Sequence, residues 1–98
     1  MLTRQNILHV LQSKKEALRQ YGVKNIGLFG SYQKNKQTNH SDIDILIDFN
    51  AESETYDNLM SIYAILEESF GSEKLEIVTK NGLSKHIGKH ILSETEYV

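Results

Sequence analysis

The fold is decided by residues 28–49, which read LFGSYQKNKQTNHSDIDILIDF. From Ser41 onward, apolar and polar residues alternate with a period of two, which is typical of a strand that buries one face. One face carries Ile43, Ile45 and Ile47, and the other carries Asp42, Asp44, Leu46 and Asp48. The preceding residues 23–29 predict another strand, which runs into a tight turn at Gly30-Ser31. Residues 32–40 are polar and predict a loop that opens with about one helical turn.

The flanking sequence predicts helices around these strands. Apolar residues recur at helical spacing between Ile7 and Tyr21, with Thr3 as the cap, and again from Tyr56 to Phe70. We expect Tyr21, Tyr56 and Tyr63 to pack in the core, because they lie on these apolar stripes. Residues 75–79 predict a third strand, and a short final helix should begin near Ser84. This order of elements predicts an α+β domain, in which helices cover a small sheet.

Composition excludes several classes of protein. The 98 residues, 39% of them hydrophobic, fit one domain. A net charge of −2 argues against binding to duplex nucleic acid, and the absence of cysteine excludes disulfide scaffolds and thiolate zinc sites. The longest apolar run, residues 62–66, is far shorter than the ~20 residues of a membrane span. We therefore expect a cytoplasmic protein.

Asp42 and Asp44 form an unusual pair for a half-buried strand. Their Cβ atoms should lie on the same side, roughly 6.5 to 7 Å apart, so their carboxylates can lean toward a shared point. Two such charges at ~4 Å repel by about 4 kcal/mol at an effective dielectric constant of 20. The pair therefore needs a cation, a shared proton or open water. A magnesium site would explain it, and so would a solvated acidic edge in which Asp42 only ends a turn.

Two further features stand near this pair. Gly30-Ser31 ends the preceding strand ten residues before Asp42, where backbone amides and a hydroxyl can approach a phosphate. Glu76 lies in the middle of the third predicted strand. It could close the acidic cluster, or it could be an exposed residue that pairs with Lys74 or Lys80.

The spacing Gly30-Ser31, ten residues, Asp42-Ile43-Asp44, followed by a carboxylate at Glu76, resembles the GS-x10-DxD signature of DNA polymerase beta-like nucleotidyltransferases. With LFGSY, SDIDILIDF and the tail LEIVTKNGLSKHIGKHILSETEYV, the chain is similar to the minimal nucleotidyltransferases from its first helix to Val98. The resemblance implies a polymerase beta-like fold, a small mixed sheet flanked by helices, as one domain over residues 1–98. It also implies two Mg²⁺ ions and transfer of AMP from ATP to a tyrosine of a HEPN-domain ribonuclease toxin, for which this chain would be the antitoxin.

Site residues follow from the resemblance by position. Asp42, Asp44 and Glu76 would be the catalytic and metal-binding carboxylates, and Gly30, Ser31 and Lys34 would bind the nucleotide. The chain departs from the family pattern twice. Glu76 stands where an aspartate is usual, and Gln33-Lys34-Asn35 replaces a frequent Ala-Arg-Gly. An alternative function is a non-catalytic antitoxin that neutralises the HEPN toxin by binding; neither function requires direct contact with nucleic acid or a membrane.

Overall fold

The computed structural model describes residues 2–98, which form a four-stranded sheet with helices packed on it. The elements in chain order are α1 (Arg4–Arg19), β1 (Val23–Phe29), α2 (Gly30–Gln33), β2 (Ile43–Phe49), α3 (Tyr56–Phe70), β3 (Leu75–Thr79), a 3₁₀ turn (Lys80–Gly82), α4 (Lys85–Glu94) and β4 (Glu96–Tyr97). No helix among the described residues is long and apolar enough to cross a lipid bilayer.

The sheet is mixed, with the strand order β3-β2-β1-β4. Strand β1 runs antiparallel to both β2 and β4, whereas β2 and β3 are parallel. A parallel pair needs a crossover connection, and α3 provides it between β2 and β3. The predicted α+β class and small mixed sheet flanked by helices are therefore confirmed.

The isoleucine face of β2 is the centre of the core. Ile43, Ile45 and Ile47 are fully buried, and apolar residues of α1 and α3 pack on the same core. Leu46, on the opposite face, is also fully buried. Strand β2 is thus covered on both faces over its central residues. The carboxylates near its start lie at the end of the strand, where the sheet is less covered.

Local capping explains where the helices begin. Thr3 and Asn6 form a reciprocal capping box at the start of α1, as the Thr3 prediction requires. The Thr55 side chain accepts a hydrogen bond from the amide of Asn58, and Ser84 accepts one from Ile87, so α4 begins where predicted.

Two expectations from the sequence are wrong, and one strand is missed. Strand β2 begins at Ile43 and not at Ser41, because residues 38–41 form a turn in which the Ser41 amide donates to the Thr38 carbonyl. Tyr21 and Tyr56 lie on the surface, and Tyr56 is 74% exposed because it occupies the first position of α3. Strand β4 was not expected at all.

Candidate functional site

The acidic residues meet at the end of the sheet where the parallel strands β2 and β3 begin. Asp44 and Glu76 occupy paired positions on these two parallel strands, so both side chains leave the same face of the sheet. Asp42 lies just before β2 and near enough to act on Asp44 electrostatically. The structure therefore brings together all three carboxylates that the sequence singled out.

Asp44 carries the electrostatic consequence of this crowding. Burial, the Glu76 carboxyl beside it, and the charges of Asp42 and Glu94 together raise the pKa of Asp44 to about 6, and burial has the largest effect. The neighbouring carboxylates disfavour the charged form of Asp44. A cation bound between them would therefore relieve their mutual repulsion. Among residues 2–98, no lysine, arginine or histidine forms an ion pair with Asp42, Asp44 or Glu76. The pairing of Glu76 with Lys74 or Lys80 considered above is therefore not observed.

The Gly30-Ser31 turn lies directly against Asp44. Phe29 at the end of β1 pairs with Asp44 across the sheet, so the chain turns into α2 beside the Asp44 carboxylate. Gly30 has a φ of 77°, in the left-handed region that favours glycine. A backbone without a side chain here leaves the space that the Asp44 carboxylate occupies.

Ser31 and Lys34 lie in and after the single turn of α2. Ser31 is half-buried, and no hydrogen bond from its hydroxyl to another residue is found in the described part of the chain. Lys34 is paired: its Nζ lies 2.8 Å from Oε2 of Glu94. The lysine that was expected to bind the nucleotide thus already has an anionic partner.

Sequence reasoning missed Glu94. This residue ends α4, and its side chain is only 14% exposed. The Gly30 amide donates to its Oε1 (3.3 Å), and His90 Nε2 lies 3.5 Å from its Oε2. The ion pair with Lys34 lowers the pKa of Glu94, aided by the Gly30 amide and His90 and opposed by burial.

One signal in the sequence could have pointed to Glu94. A carboxylate in the last turn of a helix faces the negative end of the helix dipole, which is unfavourable unless the charge has a partner elsewhere. The last turn of α4 contains Glu94 and no basic residue. The identity of the partner depends on tertiary structure, because Gly30 and Lys34 precede Glu94 by about sixty positions.

The donor set fits a hard divalent cation that is shared with a substrate. No group of three or more histidine, aspartate or glutamate side chains among residues 2–98 is arranged to enclose one metal ion. Mg²⁺ does not need such a cage, since one or two carboxylates commonly hold it together with substrate phosphates and water. The Asp44 and Glu76 pair offers this kind of open site.

Comparison with known proteins identifies the family. The model of the polymerase beta nucleotidyltransferase family matches residues 5–98. The chain belongs to this nucleotidyltransferase family. The protein adenylyltransferase MntA of Thermococcus cleftensis is 36% identical over 99 residues, an alignment that covers 100% of this chain and 98% of the relative.

Solved structures agree with this membership in the nucleotidyltransferase family. A candidate minimal nucleotidyltransferase superposes with a TM-score of 0.74 at 26% identity, covering 91% of this chain and 93% of the other. A toxin–antitoxin structure with AMP-PNP gives a TM-score of 0.66 at 21% identity, covering 98% of this chain and 72% of that one. The second likeness concerns the fold alone. The polymerase beta-like nucleotidyltransferase fold expected from the sequence is confirmed.

Proposed function

We propose that this nucleotidyltransferase is a Mg²⁺-dependent protein adenylyltransferase that acts as the antitoxin of a HEPN ribonuclease toxin. It would transfer AMP from ATP to a tyrosine of that toxin, as a single domain over residues 1–98. The observation that carries the proposal is the meeting of Asp44 and Glu76 on paired positions of β2 and β3, with the Gly30-Ser31 turn beside them.

The relatives support the choice of substrate class. The Thermococcus cleftensis relative, named a protein adenylyltransferase, aligns over the whole of this chain. The toxin–antitoxin structure that shares the fold contains AMP-PNP, an ATP analogue. These relatives support a partner toxin and ATP as the donor for this chain, whereas the assignment of Mg²⁺ rests on the Asp44 and Glu76 pair.

In the proposed reaction, a tyrosine oxygen of the toxin attacks the α-phosphorus of ATP, and the bond to the β-phosphate breaks. The products are the AMP ester of the tyrosine and pyrophosphate. Mg²⁺ held by Asp42, Asp44 and Glu76 would stabilise the charge that develops on the attacking and leaving oxygens. The Ser31 hydroxyl and its backbone amide would orient the phosphates, and Glu76 would accept the tyrosine proton.

The positions of Glu76 and Asp44 separate the binding of the acceptor tyrosine from the binding of the phosphates. Glu76 is exposed at the outer strand of the sheet, so an acceptor side chain can reach it from solvent. Asp44 is half-buried between Glu76 and Gly30, on the side where the phosphates would lie. Acceptor and donor would therefore reach the acidic pair from different sides, which leaves room for the tyrosine oxygen to attack opposite the leaving pyrophosphate.

The deciding experiment is the intact mass of the toxin after incubation with this protein, ATP and Mg²⁺. We expect a gain of one or more AMP units with the wild type and none with the Asp42→Asn, Asp44→Asn double variant. The Asp48→Asn variant is the matched control, because Asp48 lies on the same strand and hydrogen-bonds to Asn25, away from the site.

The alternative is a non-catalytic antitoxin, which neutralises the toxin by covering it. That function predicts an unchanged toxin mass, with the toxin bound and inhibited by the wild type and by the double aspartate variant alike. Loss of protection in the double variant, with complex formation retained, would exclude it.

A further inference from the structure

The Glu94 carboxylate bridges the two ends of α2. Its Oε1 accepts a hydrogen bond from the amide of Gly30, the first residue of this helix, at 3.3 Å. Its Oε2 lies 2.8 Å from Nζ of Lys34, the residue that caps the other end. A single side chain from the end of α4 thus fixes the whole turn that carries Ser31.

Helix α2 has little to hold it in place without this bridge. It comprises four residues, and a helix of one turn is not stable by its own hydrogen bonds. Its N-cap residue, Phe29, has no side chain that can accept a hydrogen bond from the helix. The free amide at the start of the helix is therefore satisfied by Glu94, a residue 64 positions away.

Lys34 is committed to the same contact. The Lys34 side chain is 43% exposed, whereas that of Glu94 is 14% exposed. If Lys34 moved away to bind a phosphate, the largely buried Glu94 carboxylate would lose its lysine partner. The incoming triphosphate would also bring negative charge close to it. The structure shows the lysine paired with Glu94.

We propose, on the basis of the proposed function, that Glu94 is a positioning residue, which holds the Gly30–Lys34 turn in the conformation that receives the triphosphate. Lys34 then acts through Glu94 and does not contact the phosphates. This assigns Lys34 a different task from the one that the resemblance implies.

A double-mutant cycle on the full chain tests the proposal through the dissociation constant for ATP with Mg²⁺, measured by calorimetry. The variants are Lys34→Gln, Glu94→Gln and both together. Glutamine at 94 keeps an oxygen for the Gly30 amide and removes the charge that needs Lys34. We expect Lys34→Gln to weaken ATP binding about fivefold and Glu94→Gln about twofold, with the double variant no weaker than about threefold.

Direct contact between Lys34 and the phosphates predicts a different pattern of ATP affinities. If Lys34 contacts phosphate directly, Lys34→Gln weakens ATP binding by at least as large a factor in the Glu94→Gln background as in the wild type, and Glu94→Gln tightens ATP binding because it frees the lysine. Either result would overturn the proposal. Lys36→Gln serves as the control for a general loss of positive charge, since Lys36 is exposed and forms no ion pair among the described residues.

The cycle separates this inference from the proposed function. Thermal unfolding of each variant shows whether it remains folded, and a purely structural role would change that midpoint without the coupling in ATP affinity. A wild type that binds ATP but does not modify the toxin contradicts the proposed acceptor and leaves the cycle decisive for Glu94. A wild type that binds no ATP overturns both.

Discussion

The Asp44 carboxylate occupies the space that a side chain at residue 30 would need. A Cβ atom built on Gly30 would lie 2.0 Å from Oδ2 of Asp44 and 2.9 Å from its Cγ. The close approach brings the backbone of Gly30 against the Asp44 carboxylate, which faces Glu76 on the neighbouring strand. Glycine at this position is therefore a requirement of the site as well as of the turn.

Substitution of Gly30 by alanine should consequently disrupt both stability and activity. The left-handed backbone costs a non-glycine residue about 1 to 2 kcal/mol, and the collision with Asp44 adds to this cost. We expect a lower unfolding midpoint and loss of AMP transfer. Gly71→Ala is the matched control, because Gly71 also has a positive φ of 64° but no atom within 4 Å of the added Cβ. Equal effects of the two substitutions on transfer would contradict this account.

The stability of the protein should fall as the pH rises through the titration of Asp44. Its pKa is 3.8 when unperturbed and about 6 in the folded chain, so the folded state binds the proton more tightly. The free energy of unfolding therefore decreases between about pH 4 and pH 6 as far as Asp44 is concerned. Asparagine at position 44 does not titrate, so the Asp44→Asn variant keeps the free energy of unfolding that the wild type loses. We expect the variant to be more stable than the wild type at pH 7 by about 1 kcal/mol, after allowing for solvent screening.

Chemical denaturation at pH 4 and pH 7 measures this effect, with Asp48→Asn as the control on the same strand. The difference between Asp44→Asn and the wild type should nearly vanish at pH 4. A variant that is less stable than the wild type at pH 7 would show that the Asp44 charge is stabilised in the folded chain.

Magnesium should stabilise the protein in the absence of nucleotide, because it would relieve the repulsion between Asp44 and Glu76. At a Mg²⁺ concentration about ten times the dissociation constant, the expected gain is about 1.4 kcal/mol. The gain should be larger at pH 7.5 than at pH 5, where a proton on Asp44 competes with the ion. Unfolding midpoints with Mg²⁺ and with EDTA provide the measurement. An equal gain in Asp44→Asn would place the ion elsewhere on the chain.

Glu76→Gln should slow AMP transfer more than it weakens complex formation with the toxin. Loss of a general base costs about two to four orders of magnitude in rate, and loss of a metal ligand adds to that. Initial rates of toxin modification at saturating ATP provide the measurement. Glu73→Gln is the control, as an exposed carboxylate just before β3. Unchanged modification by Glu76→Gln would mean that another group or solvent takes the proton.

Periodic and spacing signals in the sequence predict most of the fold and the placement of the acidic residues. The alternation around Ile43–Ile47 and the caps at Thr3 and Ser84 are local features, and they appear in the structure where local physics places them. Strand β4 has only two residues, too few for any period to be visible. It exists because β1 offers an open edge, where Gly27 and Leu28 pair with Tyr97 and Glu96.

The part of the site that the sequence did not predict depends on contacts between distant segments. Glu94 resembles a solvated residue at the end of a surface helix, and only the docking of α4 on α2 reveals its partners. The exposure of Tyr56 has a similar cause, since its place on an apolar stripe does not indicate that α3 begins beyond the edge of the core.

The hydrogen bond from Gly30 to Glu94 also sets an order of events during synthesis. On a growing chain, β1 and β2 can emerge and pair long before residue 94 leaves the ribosome, yet the turn between them still lacks its carboxylate. The site would therefore be among the last features to mature. Solvent exchange of the Gly30 amide proton reports whether the end of α4 is docked, because its protection requires the hydrogen bond to Glu94.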